Sequence, residues 1–303
     1  MSLQFVVDGL VAGAVIGLGA IGVTLTYAIL RFANFAHGEF ISWGAYLTLT
    51  VSGLLGLAAG GTGSPIGPFS FTWPILGAGL AALVLTGLLA LALDRVLFRP
   101  LRRTGESIVA VMASFGASLA LRSLIEAIFS SRPAYLTRAL QIAKPIGLGT
   151  RITPNQAAAL ATAAVLMVVA HIVLTQTRMG RSMRAVAENP SLAGVNGIDV
   201  EGVIRATWLI GGALASASGL VAGLLVQIRP AMGFDLLLPL FAAAILGGIG
   251  SVPGAVLGGL IVGLSEAAAV TFVGAQWRGA VAFAILTAML LVRPSGLFGS
   301  ANR

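Results

Sequence analysis

The sequence predicts an all-α bundle of membrane-spanning helices, and three observations carry that prediction. Of its 303 residues, 57% are hydrophobic, only 9% are charged and 40 are glycine; that is more apolar surface than a water-soluble domain can bury. Apolar stretches of about 20 residues, the length at which a helix crosses a bilayer, recur from one end of the chain to the other. Backbone N–H and C=O groups in hydrocarbon must pair within their own segment, so these stretches are expected as helices.

The first span is 3–30, in which Gly9 to Leu30 contains no charged residue. Arg31, the first basic residue, follows this run instead of preceding it, so the run reads as a permanent span and not a secretory signal. Further spans are expected at 38–60, 74–98, 107–128, 157–177, 206–228, 237–250, 253–273 and 278–293, giving a bundle of 8 to 9 spans. The seventh is short: about 14 residues reach only about two-thirds of the way across a bilayer, so it is expected as a half-helix or re-entrant segment. The whole chain, 1–303, is read as one transmembrane domain.

The formal charge of +8 is spread between the apolar runs and is not massed on one soluble face, so it reports membrane orientation and not nucleic-acid binding. Arg31, the cluster Arg95, Arg99, Arg102 and Arg103, the set Arg178, Arg181, Arg184 and Arg205, and the tail Arg293 and Arg303 fall on one side. Arg132, Arg138, Lys144, Arg151, Arg229 and Arg278 fall on the other. The bias places the N-terminus outside and the C-terminus in the cytoplasm.

Cysteine is absent, which excludes disulfides, Fe–S clusters and thiolate metal sites. The two histidines, His37 and His171, have no ligand-spaced partners, so no metal, no cofactor and no catalytic set is expected. A membrane-embedded enzyme is therefore a poor reading. The one lysine, Lys144, lies in Ala143-Lys144-Pro145, so no Gly-Lys-Ser/Thr phosphate loop exists here, and any ATP hydrolysis belongs to another chain.

Small residues four apart, at Gly9/Gly13/Gly17, Gly219/Gly223, Gly254/Gly258 and Gly259/Gly263, make flat helix faces that let backbones approach closely in lipid. Two stretches interrupt the apolar sequence: Asn34-Phe35-Ala36-His37-Gly38-Glu39-Phe40, and Gly247-Gly248-Ile249-Gly250-Ser251-Val252-Pro253-Gly254. Such interruptions mark broken or re-entrant helices around a transport pathway. Asn34, Phe35, His37, Gly38, Glu39, Gly247, Gly248, Gly250, Pro253 and Gly254 are the pathway or hinge candidates. An ionisable residue at membrane depth is costly, so His37 and Glu39 either contact the pathway or hold the turn through backbone hydrogen bonds.

Among the other ionisable residues inside spans, Arg122, Glu126 and Glu266 call for partners. Arg122 and Glu126 are one turn apart, and the spacing predicts that they pair. Glu266 has no basic neighbour in its own span and needs a partner from elsewhere or a watery cavity. The segment 178–205 is the longest on the cytoplasmic side. Asn189-Pro190-Ser191 reads as a helix start and Asn196-Gly197 as a stop, giving one short helix over 191–196 that serves as a connector or as a docking element.

Three ordered blocks resemble the branched-chain amino-acid ABC transporter permease family over nearly the whole length. They are Asp8-Gly9-Leu10 through Asn34-Phe35-Ala36-His37-Gly38-Glu39; Arg178-Met179-Gly180-Arg181 with Arg184-Ala185, Ala187-Glu188-Asn189 and Gly197-Ile198; and Ala244 through Ser251 with Pro253-Gly254-Ala255. The ending, Arg293-Pro294-Ser295-Gly296-Leu297-Phe298, resembles that of the family. The chain departs from the family in carrying Asp8 where Asn is usual and Ile16-Gly17-Leu18 where a Tyr-Ala-Leu stretch is usual.

The resemblance implies a high-affinity permease subunit of an ATP-driven importer. Its partners would be a second homologous permease or a second copy, two cytoplasmic ATP-binding subunits, a periplasmic or lipid-anchored substrate-binding protein, and membrane lipids. It also implies coupling to the ATPases through Arg178, Arg181, Arg184, Glu188, Asn189 and Gly197. Branched-chain or other small amino acids are the expected cargo, with urea or short amides as the alternative within the family. A stand-alone secondary transporter or channel is the rival outside it.

Overall fold

The computed structural model describes residues 3–58, 64–102, 106–137, 139, 141–147 and 149–299; Arg103, Arg138, Arg303 and the end of the span expected at 38–60 lie outside them. The chain forms α1 (Gln4–Leu30), α2 (His37–Ala58), α3 (Trp73–Leu93), a π-helical turn (Asp94–Phe98), α4 (Arg99–Leu101) and α5 (Ser107–Phe129). A small antiparallel hairpin of β1 (Lys144–Gly147) and β2 (Thr150–Ile152) follows. Then come α6 (Pro154–Gln176), α7 (Arg178–Glu188), α8 (Pro190–Val195), α9 (Val200–Leu225), α10 (Met232–Gly247), α11 (Val252–Phe272), a 3-10 turn (Ala275–Trp277) and α12 (Arg278–Val292). Among the described residues, eight helices are long and apolar enough to cross a membrane, and α10 adds a shorter apolar helix.

Close approaches fix the directions of α1, α3, α9, α10 and α11. Gly22 of α1 lies against Gly211 of α9, and Ser218 of α9 donates to the Val15 carbonyl, so α1 and α9 are antiparallel. Gly79 and Gly87 of α3 meet Leu220 and Leu209, so α3 also opposes α9. Gly9 and Gly13 meet Leu264 and Leu260, which sets α11 against α1. Leu240 of α10 sits at Gly19, and Gly250, just beyond its end, donates to Thr24, so α10 runs with α1. The chain thus passes back and forth, with its first and last described residues at opposite ends of the bundle. Arg132, Lys144, Arg151, Arg229 and Arg278 lie at the end where α1 begins, and Arg31, Arg95, Arg99, Arg102, Arg178, Arg181, Arg184, Arg205 and Arg293, the described members of the other set, lie at the far end.

The glycine faces are packing surfaces. A Cβ at Gly263 would lie 2.3 Å from the Gly13 nitrogen, and one at Gly259 2.5 Å from the Gly17 Cα. α1 and α11 therefore touch backbone to backbone, the contact that drives helix association where lipid removes the hydrophobic effect. α1 is the best buried of the spanning helices, with 72% of its most apolar stretch inside the bundle against 11% for Ala275–Val292.

Three boundaries differ from the sequence expectation. α10 occupies Met232–Gly247 instead of 237–250. It begins before its apolar run and is stopped by Gly248, whose φ of 97° no helix continues. α9 starts at Val200, six residues ahead of the expected span, because Asp199 caps it by accepting from the Gly202 N–H at 2.9 Å. The segment 178–205 holds two helices where one was expected. α7 is nucleated by the Thr177 hydroxyl accepting from Gly180 and buries Met183 and Val186, and α8 occupies Pro190–Val195 instead of 191–196.

Candidate functional site

The first interruption re-enters the bundle. α1 ends at Leu30, and Arg31 turns the chain in the left-handed region at φ 58°. His37, the first residue of α2, lies beside Gly19 and Gly22, with its Nε2 at 3.2 Å from the Gly19 carbonyl oxygen. α2 therefore begins about 12 Å short of the end of α1, measured along the helix axis. Residues 32–36 run back alongside α1 without helical hydrogen bonds.

Irregular backbone at membrane depth is tolerated where protein buries it and supplies partners. Phe32, Asn34, Ala36 and His37 are all buried. The Asn34 side chain accepts from the Ala36 N–H at 3.1 Å, and the Asn34 carbonyl accepts from His37 at 3.2 Å. Ser114 of α5 accepts from the Phe35 N–H at 3.1 Å. The Phe35 ring meets Phe115 of α5 and Phe241 of α10 at 6.2 and 5.7 Å, so α5 and α10 wall this segment.

Glu39, fully buried in the first turn of α2, accepts from Ser118 at 3.2 Å and faces Arg122 of α5 at 3.8 Å. This corrects the expected pairing of Arg122 with Glu126: the guanidinium turns inward to a different helix, while Glu126 stays exposed. Arg122 also sits 4.4 Å from the centre of the Phe234 ring on α10, a cation–π contact. Glu39 Oε2, His37 Nδ1 and the Nε and Nη2 atoms of Arg122 have no hydrogen-bond partner within the fold. Buried polar groups are usually satisfied, so a cluster of orphans on two facing helices, α2 and α5, marks a place built for something besides stability.

Gly38 locks the neighbouring contact. A Cβ there would lie 2.5 Å from the Gly233 carbonyl oxygen, and one at Gly233 only 1.8 Å from that of Gly38. Ser42 joins the same two helices, donating to the Pro230 carbonyl and accepting from the Gly233 N–H.

The second interruption is the tight turn between the antiparallel α10 and α11. Gly247 and Gly254 face each other across it, Gly248 and Gly250 hold φ of 97° and 89°, and Ser251 caps α11 with Pro253 in its first turn. The chain's ending folds back onto this turn: Leu297 and Phe298 donate to the Leu246 and Gly247 carbonyls at 2.8 and 3.0 Å. These bonds satisfy carbonyls that the end of α10 leaves open. The structure thus brings the third motif block and the ending together and joins both to α1 through Thr24.

In the 178–205 segment, Asn189 accepts from Leu192 to cap α8, and Gly197, at φ 82°, closes it. Arg184 donates to the Leu174 and Thr175 carbonyls and Arg181 to that of Gln176, so both hold the C-terminus of α6. Arg178 and Glu188 are exposed. Sequence reading missed the structural role of Arg31, which it used to rule out a secretory signal and to orient the chain. Its guanidinium donates to the Ala187 and Glu188 carbonyls at 2.9 Å each, capping α7 from the turn that begins the re-entrant segment. A charged residue next to a break motif was the signal available, but its partner lies more than 150 residues away.

A polytopic bundle with buried polar groups at a re-entrant break, and paired surface helices at one end, is the architecture of a multi-pass membrane protein. The family described as branched-chain amino acid transport system, permease component, matches residues 5–290, and the chain belongs to it. The high-affinity branched-chain amino acid transport system permease protein LivH of Escherichia coli K12 is 32% identical over 303 residues, covering 98% of this chain and 95% of that one. BraD, of the same description, from Pseudomonas aeruginosa is 32% identical over 302 residues with the same coverage. A probable branched-chain amino acid transport permease of Methanocaldococcus jannaschii is 27% identical over 296 residues, covering 92% and 87%. Among solved structures, PsaBC from Streptococcus pneumoniae in complex with Fab aligns with a TM-score of 0.47 at 13% identity, covering 98% of this chain and 94% of that one.

Proposed function

We propose that this chain is the single-domain membrane subunit of an ATP-driven importer that moves branched-chain or other small amino acids across the inner membrane by alternating access. The amino-acid cargo follows from what the relatives are named for. The end that carries Arg31, Arg178 and Arg293 faces the cytoplasm, and the end where α1 begins receives solute from a binding protein. Separate ATPase subunits dock on α7 and α8. Leu192 and Val195, three residues apart on α8, are 59% and 86% exposed at that end, an apolar face suited to a protein partner.

The observation that carries the reading is Arg31. It bonds the end of α7 and opens the segment leading to Asn34, His37 and Glu39, so a displacement of α7 and α8 reaches the buried break directly. Nucleotide-bound ATPases shift the bundle because they bind one arrangement of α7 and α8 better than another. Uptake of radiolabelled L-leucine into proteoliposomes tests this. Uptake is expected only with ATP, the ATPase subunits, the second permease and the binding protein all present. Accumulation by this chain alone, driven by an ion gradient and indifferent to ATP, overturns the assignment.

A further inference from the structure

A second polar site lies away from the break, at the end of the bundle where α1 begins. α10 starts at Met232 beside Val11, below the end of α9, and the step between them opens a cavity of about 570 Å³ bounded by α1, α10, α11 and the start of α12. The volume is in the range of small-molecule sites. Three carboxylates, Asp8, Asp235 and Glu266, and two guanidinium groups, Arg229 and Arg278, line it.

Glu266 is 1% exposed, and its Oε2 accepts from Arg278 at 2.7 Å, while its Oε1 has no partner within the fold. A buried carboxylate oxygen without a partner, on a residue that lines a cavity, costs stability that a positively charged donor would recover. Pro239, which also lines the cavity, has no N–H for the Asp235 carbonyl one turn earlier, so a second acceptor is freed on the same wall. Arg229 is the less committed of the two cations: it holds Asp235 at 3.4 Å and is half exposed. Val15 and Ile16 add apolar lining.

We infer that this cavity recognises a zwitterion, an α-amino acid whose ammonium is taken by Glu266, whose carboxylate is taken by Arg229 and whose aliphatic side chain rests on Val15 and Ile16. The inference rests on the importer reading and adds to it a solute site inside the permease. The excess of one carboxylate disfavours anions, and two ion pairs serve no purpose for a neutral amide. Glu266 and Arg229 are thereby specificity-determining residues.

Equilibrium binding of radiolabelled L-leucine to the purified chain in lipid nanodiscs tests the site, with isoamylamine, 4-methylpentanoate and urea as competitors. Saturable binding is expected, with each single-charge analogue and urea competing at least about tenfold more weakly, and with Glu266→Gln and Arg229→Gln each weakening leucine by about tenfold. Arg229 is half exposed, so its variant keeps the test valid if Glu266→Gln fails to fold. Absence of saturable leucine binding, equal competition by isoamylamine or urea, or wild-type affinity in either folded variant overturns the proposal. ATP-driven uptake separates the two readings. Undiminished leucine uptake by both variants removes this site and leaves the importer standing, whereas a wild-type transporter that accumulates no amino acid removes the importer reading.

Discussion

At the scale of single residues, the Glu39–Arg122 pair decides how the buried break is held. Removing one partner of a buried pair leaves an uncompensated charge and costs about 3–5 kcal/mol, while replacing both is often neutral. At 3.8 Å, and with the Arg122 side chain 22% exposed, the lower part of that range is expected. Arg122→Met should therefore lower the thermal unfolding temperature in detergent far more than the double variant Glu39→Gln/Arg122→Met. If the two losses simply add, the residues are not a pair. Glu39 was legible as a costly intramembrane charge, but its partner was not. The one-turn spacing rule that joined Arg122 to Glu126 is local, whereas the actual contact depends on how α2 and α5 pack.

At the scale of elements, apolar length was enough to place the spanning helices, and Gly/Pro punctuation placed both interruptions. Boundaries failed where polar residues continue a helix beyond its apolar run: Asp235 in the first turn of α10 read as loop, and Asp199, the cap that starts α9, fell inside a presumed connector. Close packing of α2 on α10 was equally hidden, because a lone Gly38 looks like flexibility until Gly233 is placed beside it. Gly38→Ala should destabilise the chain by about 1–3 kcal/mol through overpacking. Gly53→Ala in the same helix meets nothing within 4 Å and should be neutral or stabilising by up to about 1 kcal/mol. Comparison of the two variants' unfolding temperatures checks this; equal behaviour would mean that the α2–α10 contact is loose.

At the scale of the whole molecule, the question is how an event on the surface helices reaches the buried break. The connection runs through one side chain: the Arg31 guanidinium holds the last carbonyls of α7, and the chain from Arg31 leads within six residues to His37. Both bonds are charge-assisted and lie at a helix C-terminus, where a cation is favoured by about 0.3–1 kcal/mol. The pair of bonds is too exposed to govern folding, so Arg31→Ala should leave assembly and unfolding temperature nearly unchanged. Transport should respond differently, because the two parts would then move independently. Leucine uptake by the reconstituted transporter should fall several-fold while ATP hydrolysis continues, and Arg31→Lys, which keeps the charge but loses the fork that spans two carbonyls, should fall between. A parallel loss of uptake and hydrolysis would place Arg31 in assembly instead of coupling, and normal uptake in Arg31→Ala would mean that α7 and the break communicate through α1 and α9 packing.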